Sequence, residues 1–246
     1  MKGVDLEERR KKMAYKTVFE RYELKYMISR EQKERILHAL KPYMKPDKYG
    51  QTTIRNIYFD TDNYRLIRAS IEKPAYKEKL RIRTYSQASP DSDVFVELKK
   101  KYRSIVYKRR LSMPEDAAMR WLCREAPFQP DTQIEREIDY FLAYYGTLSP
   151  KVFLSYDREA YESRADDGFR VTFDQNILYR TDKLSLEAPV YGEPILEDGK
   201  ILMELKCGGA IPLWMTKILS QEGICKTSFS KYGTAYKTLL FPNLQI

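Results

Sequence analysis

The chain has 246 residues, 44 Lys and Arg against 35 Asp and Glu, a formal net charge of +9, and 20 Tyr with 10 Phe. That length buries a real core, the aromatic content excludes disorder, and the surplus charge selects an anionic partner. His38 is the only histidine, and Cys123, Cys207 and Cys225 are far apart. A histidine-based zinc site and a CxxC motif are thereby excluded, and a Ser-His-Asp triad would rest on His38 alone.

Met1 to Lys16 is a polar segment with a basic run at Arg9 to Lys12, and residues 17–246 read as one domain. No apolar run reaches the roughly 20 residues that cross a bilayer, and Met1 to Lys16 has no apolar h-region, so a secretory signal is not expected in it. With the sparse, odd cysteine count, a cytoplasmic location is expected. Strands are expected at Thr17–Met27, Thr52–Phe59, Tyr76–Tyr85, Val94–Lys101, Ile105–Ser112, Val152–Ser163, Phe169–Asp174 and Ile201–Cys207. Helices are expected at Ser29–Met44, opened by a Ser29/Gln32 capping box, and at Pro114–Glu125, Asp131–Tyr145, Pro212–Glu222 and Ser230–Leu240. The expected architecture is α+β: a closed antiparallel β-barrel of about eight strands with helices packed outside.

Residues i, i+2 and i+4 of a strand share a face. Lys79, Arg81 and Arg83 therefore oppose Leu80 and Ile82, while Glu97 and Lys99 oppose Val96 and Leu98. Lys108 pairs with Arg110, Glu204 with Lys206, and Glu23 with Lys25 on one face of their strands. Arg170, Thr172 and Asp174 likewise oppose Val171 and Phe173. The ordinary alternative for any one strand is a solvated polar face. Repetition over six strands points instead to an enclosed anion, because like charges side by side repel unless neutralised. Tyr22, Tyr26 and Tyr107 sit opposite the cations and read as core, which argues against a base-stacking surface for single-stranded nucleic acid.

Taken in order, several blocks resemble a known family. They are RYELKY at 21–26, IYFDT at 57–61, KLRIR at 79–83, VELK at 96–99, YKRR at 107–110, SYDREAY at 155–161, MELK at 203–206 and FSKY at 229–232. The chain resembles, from about Phe19 to Leu240, the VTC-type polyphosphate polymerase domain, a branch of the triphosphate tunnel metalloenzymes. The resemblance implies a tunnel that binds triphosphate or polyphosphate with Mn²⁺ or Mg²⁺. It makes Lys25, Arg81, Arg83, Lys99, Lys108, Arg158 and Lys231 phosphate ligands. Lys79, Arg110, Lys206 and Ser230 join them as substrate-binding groups. Glu204 is implied as the metal ligand, with Glu23 and Glu97 as helpers; a cross-strand salt bridge is the other reading of those two.

Hydrolytic members of that superfamily carry ExExK on the first strand, whereas this chain has Arg21, Glu23 and Lys25. Replacing a carboxylate by a cation favours a phosphate acceptor over water. The family's basic residue two before the last-motif serine is Ser228 here, and Lys226 is the nearby candidate to replace it. The expected activity is transfer of the ATP γ-phosphate to inorganic polyphosphate, with no nucleic acid and with a membrane protein as a further possible partner. The alternatives are a tripolyphosphate or nucleoside triphosphate hydrolase, or a non-catalytic polyphosphate- or nucleic-acid-binding module.

Overall fold

The computed structural model describes residues 19–240 apart from 90, 104, 166 and 167. The polar segment 1–16 lies outside the described residues. Strand β1 (Phe19–Ile28) leads through Ser29 into α1 (Arg30–Leu40). The expected capping box forms: Ser29 Oγ accepts from the Gln32 amide, and the Gln32 side chain accepts from the Ser29 amide. The helix stops at Leu40 rather than Met44 because Pro42 cannot continue it, and Met44 opens β2 (Met44–Pro46).

The chain continues through β3 (Thr52–Asp60), α2 (Arg65–Ile71), β4 (Tyr76–Thr84), β5 (Asp93–Tyr102), β6 (Ile105–Pro114), α3 (Glu115–Leu122) and α4 (Gln133–Tyr145). Then come β7 (Ser149–Ser163), β8 (Arg170–Arg180), β9 (Glu193–Pro194), β10 (Ile201–Cys207), α5 (Leu213–Gln221), β11 (Lys226–Thr227) and α6 (Lys231–Leu240). The elements absent from the sequence expectation are α2, β2, β9 and β11. Each is too short for an alternating or helical period to register.

The strands pair in the order β2-β7-β3-β4-β5-β6-β1-β10-β8-β9, with β11 branching from β1 and β7 also pairing β8. The expected closed barrel of about eight strands is corrected to an antiparallel sheet of eleven. Among the described residues β2, β9 and β11 pair on one side only, so the sheet has edges that a closed barrel lacks.

On one face, Ile57, Leu80, Ile82, Val96 and Leu98 meet Ala118, Trp121 and Leu122 of α3 and Ile138, Phe141 and Leu142 of α4. On the same face of β1, β8 and β10, Tyr26, Val171, Phe173, Met203 and Leu205 meet Ile36 and Leu40 of α1 and Met215, Ile218 and Leu219 of α5. Helix α6 departs from the expectation of helices packed outside. Its Tyr232, Ala235 and Tyr236 pack with Tyr58, Val152 and Leu154, residues of the opposite face. Tyr22 is also corrected, since it is exposed while Tyr26 is buried.

Candidate functional site

Cross-strand register brings the charged residues onto one face. Lys79 stands opposite Lys99, Arg81 opposite Glu97, Glu97 opposite Arg110, and Lys99 opposite Lys108. On the neighbouring strands Glu23 faces Lys206, Lys25 faces Glu204, and Arg158 faces Asp174. The face curls enough that Lys25 of β1 and Lys79 of β4 reach the same segment. Lys25 Nζ donates to the Phe229 carbonyl and Lys79 Nζ to Ser230 Oγ, both at 2.9 Å.

Two carboxylates organise this array. Glu97 is 1% exposed, and its Oε2 accepts from Arg81 at 2.7 and 2.9 Å. Its Oε1 accepts from Arg110 Nε and sits 2.7 Å from Lys108 Nζ, and Arg83 lies at 4.0 Å. Burial opposes ionisation of Glu97, but Arg83, Arg81, Lys108 and Arg110 together hold its carboxyl well below the ordinary range. Asp174 is completely buried and takes a bidentate pair from Arg158 at 2.6 and 2.7 Å, plus a contact from Lys231.

Glu204 is held differently. Lys25, Lys206, Arg158 and Lys231 surround it at 3.4–3.5 Å, farther than the close contacts of Glu97 and Asp174. Glu23 accepts from Lys99 at 2.7 Å. Among the described residues, no group of three or more His, Cys, Asp and Glu side chains is placed to hold a metal ion. A hard divalent ion bound through one or two carboxylates plus substrate phosphates needs no such cage. Glu204 fits that role, with Glu23 on the same face. Glu97 fits it less well, because close contacts from Arg81, Arg110 and Lys108 already engage both of its oxygens, as in a cross-strand salt bridge.

The sequence-expected site residues whose side chains are described lie on or against this one face. Ser230 and Lys231 are presented by the start of α6, which Tyr232 anchors by donating to the buried Asp60 at 3.0 Å. Asp60 in turn accepts from the Leu66 and Ile67 amides of α2. Lys226 stands opposite Tyr26 in the ladder and Thr227 opposite Lys25, so Thr227 is the residue of β11 that shares the Lys25 face.

Sequence reasoning missed Asp174 as a site member, although it had placed it on a charged strand face. It also missed Tyr58 and Tyr156. Both rings lie on the cationic face: Tyr58 accepts from Arg81 at 2.7 Å and Tyr156 from Arg83 at 2.9 Å. Arg158 and Lys231 stand over the Tyr156 ring at 5.1 and 4.4 Å, within cation–π range. The signal available was Tyr58 in a strand whose neighbour carries Arg81 and Arg83.

The named cations, ten in all (Lys25, Lys79, Arg81, Arg83, Lys99, Lys108, Arg110, Arg158, Lys206 and Lys231), share the face with four carboxylates, Glu23, Glu97, Asp174 and Glu204. Burial among these cations lowers the basicity of Lys25, Lys79 and Lys108, whereas Asp174 and Glu204 raise that of Lys231 against its burial. Burial pushes Lys108 down to about 6, with Arg83, Arg110 and Arg81 adding to the effect against the pull of Glu97. Burial and then Lys25, Lys99, Lys77 and Arg81 hold Lys79 well below the ordinary value. An incoming polyanion reverses this by favouring the protonated amines. Tripolyphosphate binding at pH 8 is therefore expected to take up protons, and affinity to fall as pH rises above about 6. Calorimetry in two buffers of different ionisation enthalpy reads the uptake; identical heats would refute it.

A model of the VTC domain matches residues 20–240. This chain belongs to the VTC domain family. Among solved structures, this VTC chain is similar to a proposed adenylate cyclase from Bacillus halodurans, with TM-score 0.55 and 16% identity over 87% of this chain and 95% of that one. A proposed adenylyl cyclase from Hippeastrum, reported to have a dominant triphosphatase activity, matches with TM-score 0.49 and 15% identity over 89% of this chain and 96% of the other. The Bacillus likeness shows a common fold and no more. The comparison with curated proteins found no match.

Among the described residues no helix is long and apolar enough to cross a membrane.

Proposed function

We propose that this VTC domain is a polyphosphate polymerase that transfers the γ-phosphate of ATP to inorganic polyphosphate. The observation that carries the reading is the fixed cation array. Buried Glu97 and Asp174 hold Arg81, Arg83, Arg110, Lys108, Arg158 and Lys231 in place, and the remaining positive charge awaits an anion. Such an array is preorganised for the charge spread over a transferring phosphoryl group.

In the proposed reaction the terminal oxygen of the acceptor chain attacks the γ-phosphorus in line. The new O–P bond forms as the bond from the γ-phosphorus to the β,γ-bridging oxygen breaks, and ADP leaves with that electron pair. Arg81, Arg83, Lys99 and Lys108 neutralise the reacting phosphates, while Arg158, Lys231 and Ser230 orient them. A divalent ion, Mn²⁺ or Mg²⁺, would be held by Glu204 with Glu23 beside it, and supplies charge neutralisation when bound. Arg21 in place of a first-strand carboxylate supports phosphate rather than water as acceptor.

The test is incubation of the purified chain with ATP, Mn²⁺ and a short polyphosphate primer, with products resolved on a gel. A ladder of lengthened chains and stoichiometric ADP are expected. Release of free phosphate without any lengthened chain would replace this reading with the hydrolase.

A further inference from the structure

The cationic face continues beyond the residues placed in phosphoryl transfer. Lys77 precedes Lys79 on the same face of β4 and stands directly opposite Lys101, which follows Lys99 on β5. Lys73, in the turn between α2 and β4, lies close enough to act electrostatically on Lys77. Among the described residues, Lys73, Lys77 and Lys101 form no ion pair with a carboxylate; Glu23 acts on Lys101 through its field, more weakly than the opposing Lys99. Lys77 Nζ is steadied by donating to the Ser70 carbonyl at 3.1 Å. Burial, then Lys101, Lys25 and Lys73, keep Lys77 below the ordinary lysine value, so these ammonium groups repel one another.

The other end of the same strands is different. There the Arg110 guanidinium pairs with Glu97, donates to the Tyr85 hydroxyl at 2.9 Å, and lies 4.3 Å from the centre of the Phe95 ring. Its guanidinium is already engaged by that carboxylate, hydroxyl and ring. From Arg83 to Lys77 the face runs about 20 Å at roughly 3.3 Å per residue. That length exceeds a triphosphate. A triphosphate seated among Arg81, Arg83 and Lys108 therefore leaves the Lys77 end unfilled, whereas a long linear polyanion reaches it.

We propose that Lys73, Lys77 and Lys101 form a separate binding site for inorganic polyphosphate chain, so that the growing polymer lies across the β4–β5 end of the face. This rests on the proposed polymerase reading, but its test does not need turnover. Binding of tripolyphosphate and of a polyphosphate about a hundred units long is measured without ATP over a series of salt concentrations. Polyanion affinity falls with salt in proportion to the cations engaged, about one unit of log–log slope per lysine.

The variant Lys73→Gln/Lys77→Gln/Lys101→Gln is expected to lose about three units of slope for the long chain and to keep the tripolyphosphate slope of the parent. The double variant Lys73→Gln/Lys101→Gln retains the Lys77–Ser70 hydrogen bond, guards against loss of folding, and is expected to lose about two units. Equal slopes for parent and both variants on the long chain would overturn the site. So would a matching loss on tripolyphosphate, because the lysines would then belong to the triphosphate pocket. If the gel assay yields no polymer but the long-chain slope contrast stands, the polymerase reading fails and the chain site remains.

Discussion

Glu97→Gln will lower the melting temperature of the free protein by roughly 6–20 °C, and tripolyphosphate will restore much of the loss. The first half follows from burial. Removing one partner of a buried charge cluster typically costs about 3–5 kcal/mol, and each kcal/mol moves the midpoint by about 2–4 °C in a chain of this size. Glutamine keeps the shape and two polar atoms but leaves Arg81, Arg83, Lys108 and Arg110 without their shared anion. The second half follows from linkage, since a polyanion that binds only the folded state takes over the neutralising role. Thermal melts of parent and variant with and without tripolyphosphate decide it. A variant as stable as the parent would show that the four cations do not depend on Glu97.

Glu204→Gln is expected to lower turnover at fixed Mn²⁺ by about 100-fold or more while leaving the fold intact. The carboxylate has four cationic neighbours at 3.4–3.5 Å, and Asp174 continues to pair Arg158 and Lys231 when Glu204 loses its charge. The stability effect is therefore smaller than at Glu97. The catalytic effect is larger, because Glu204 is the carboxylate proposed to hold the divalent ion. Initial rates across a Mn²⁺ titration separate the roles: a metal ligand shifts the half-saturating concentration upward. A lower rate with unchanged metal dependence would make Glu204 a partner of the lysines alone.

The charged face was legible because it follows from the two-residue period of a strand. Glu97, Lys99, Arg81 and Arg83 could be placed together before any pairing was known, and their cross-strand register agrees. Three features were not legible. Closure by about eight strands was inferred from the long segments, but β2, β9 and β11 add edges through two or three residues each. The position of α6 depends on Tyr232 meeting Asp60 across 172 residues, and no local pattern encodes such a contact. Glu97 and Glu204 stand in the similar strings VELK and MELK, yet one is clasped tightly and the other loosely. That difference arises from which strands flank them, a property of topology rather than of either motif.

The hydrogen bond from Lys25 to the Phe229 carbonyl joins residues 204 apart. Closing so long a loop carries an entropic cost that is met before the contact contributes. Until then the lysines and arginines of β1, β4, β5 and β6 approach one another with only part of their counter-charge in place. Assembly of this face is thus opposed by its own electrostatic field, and a mobile polyanion in the surroundings would lower that barrier before it ever served as a substrate.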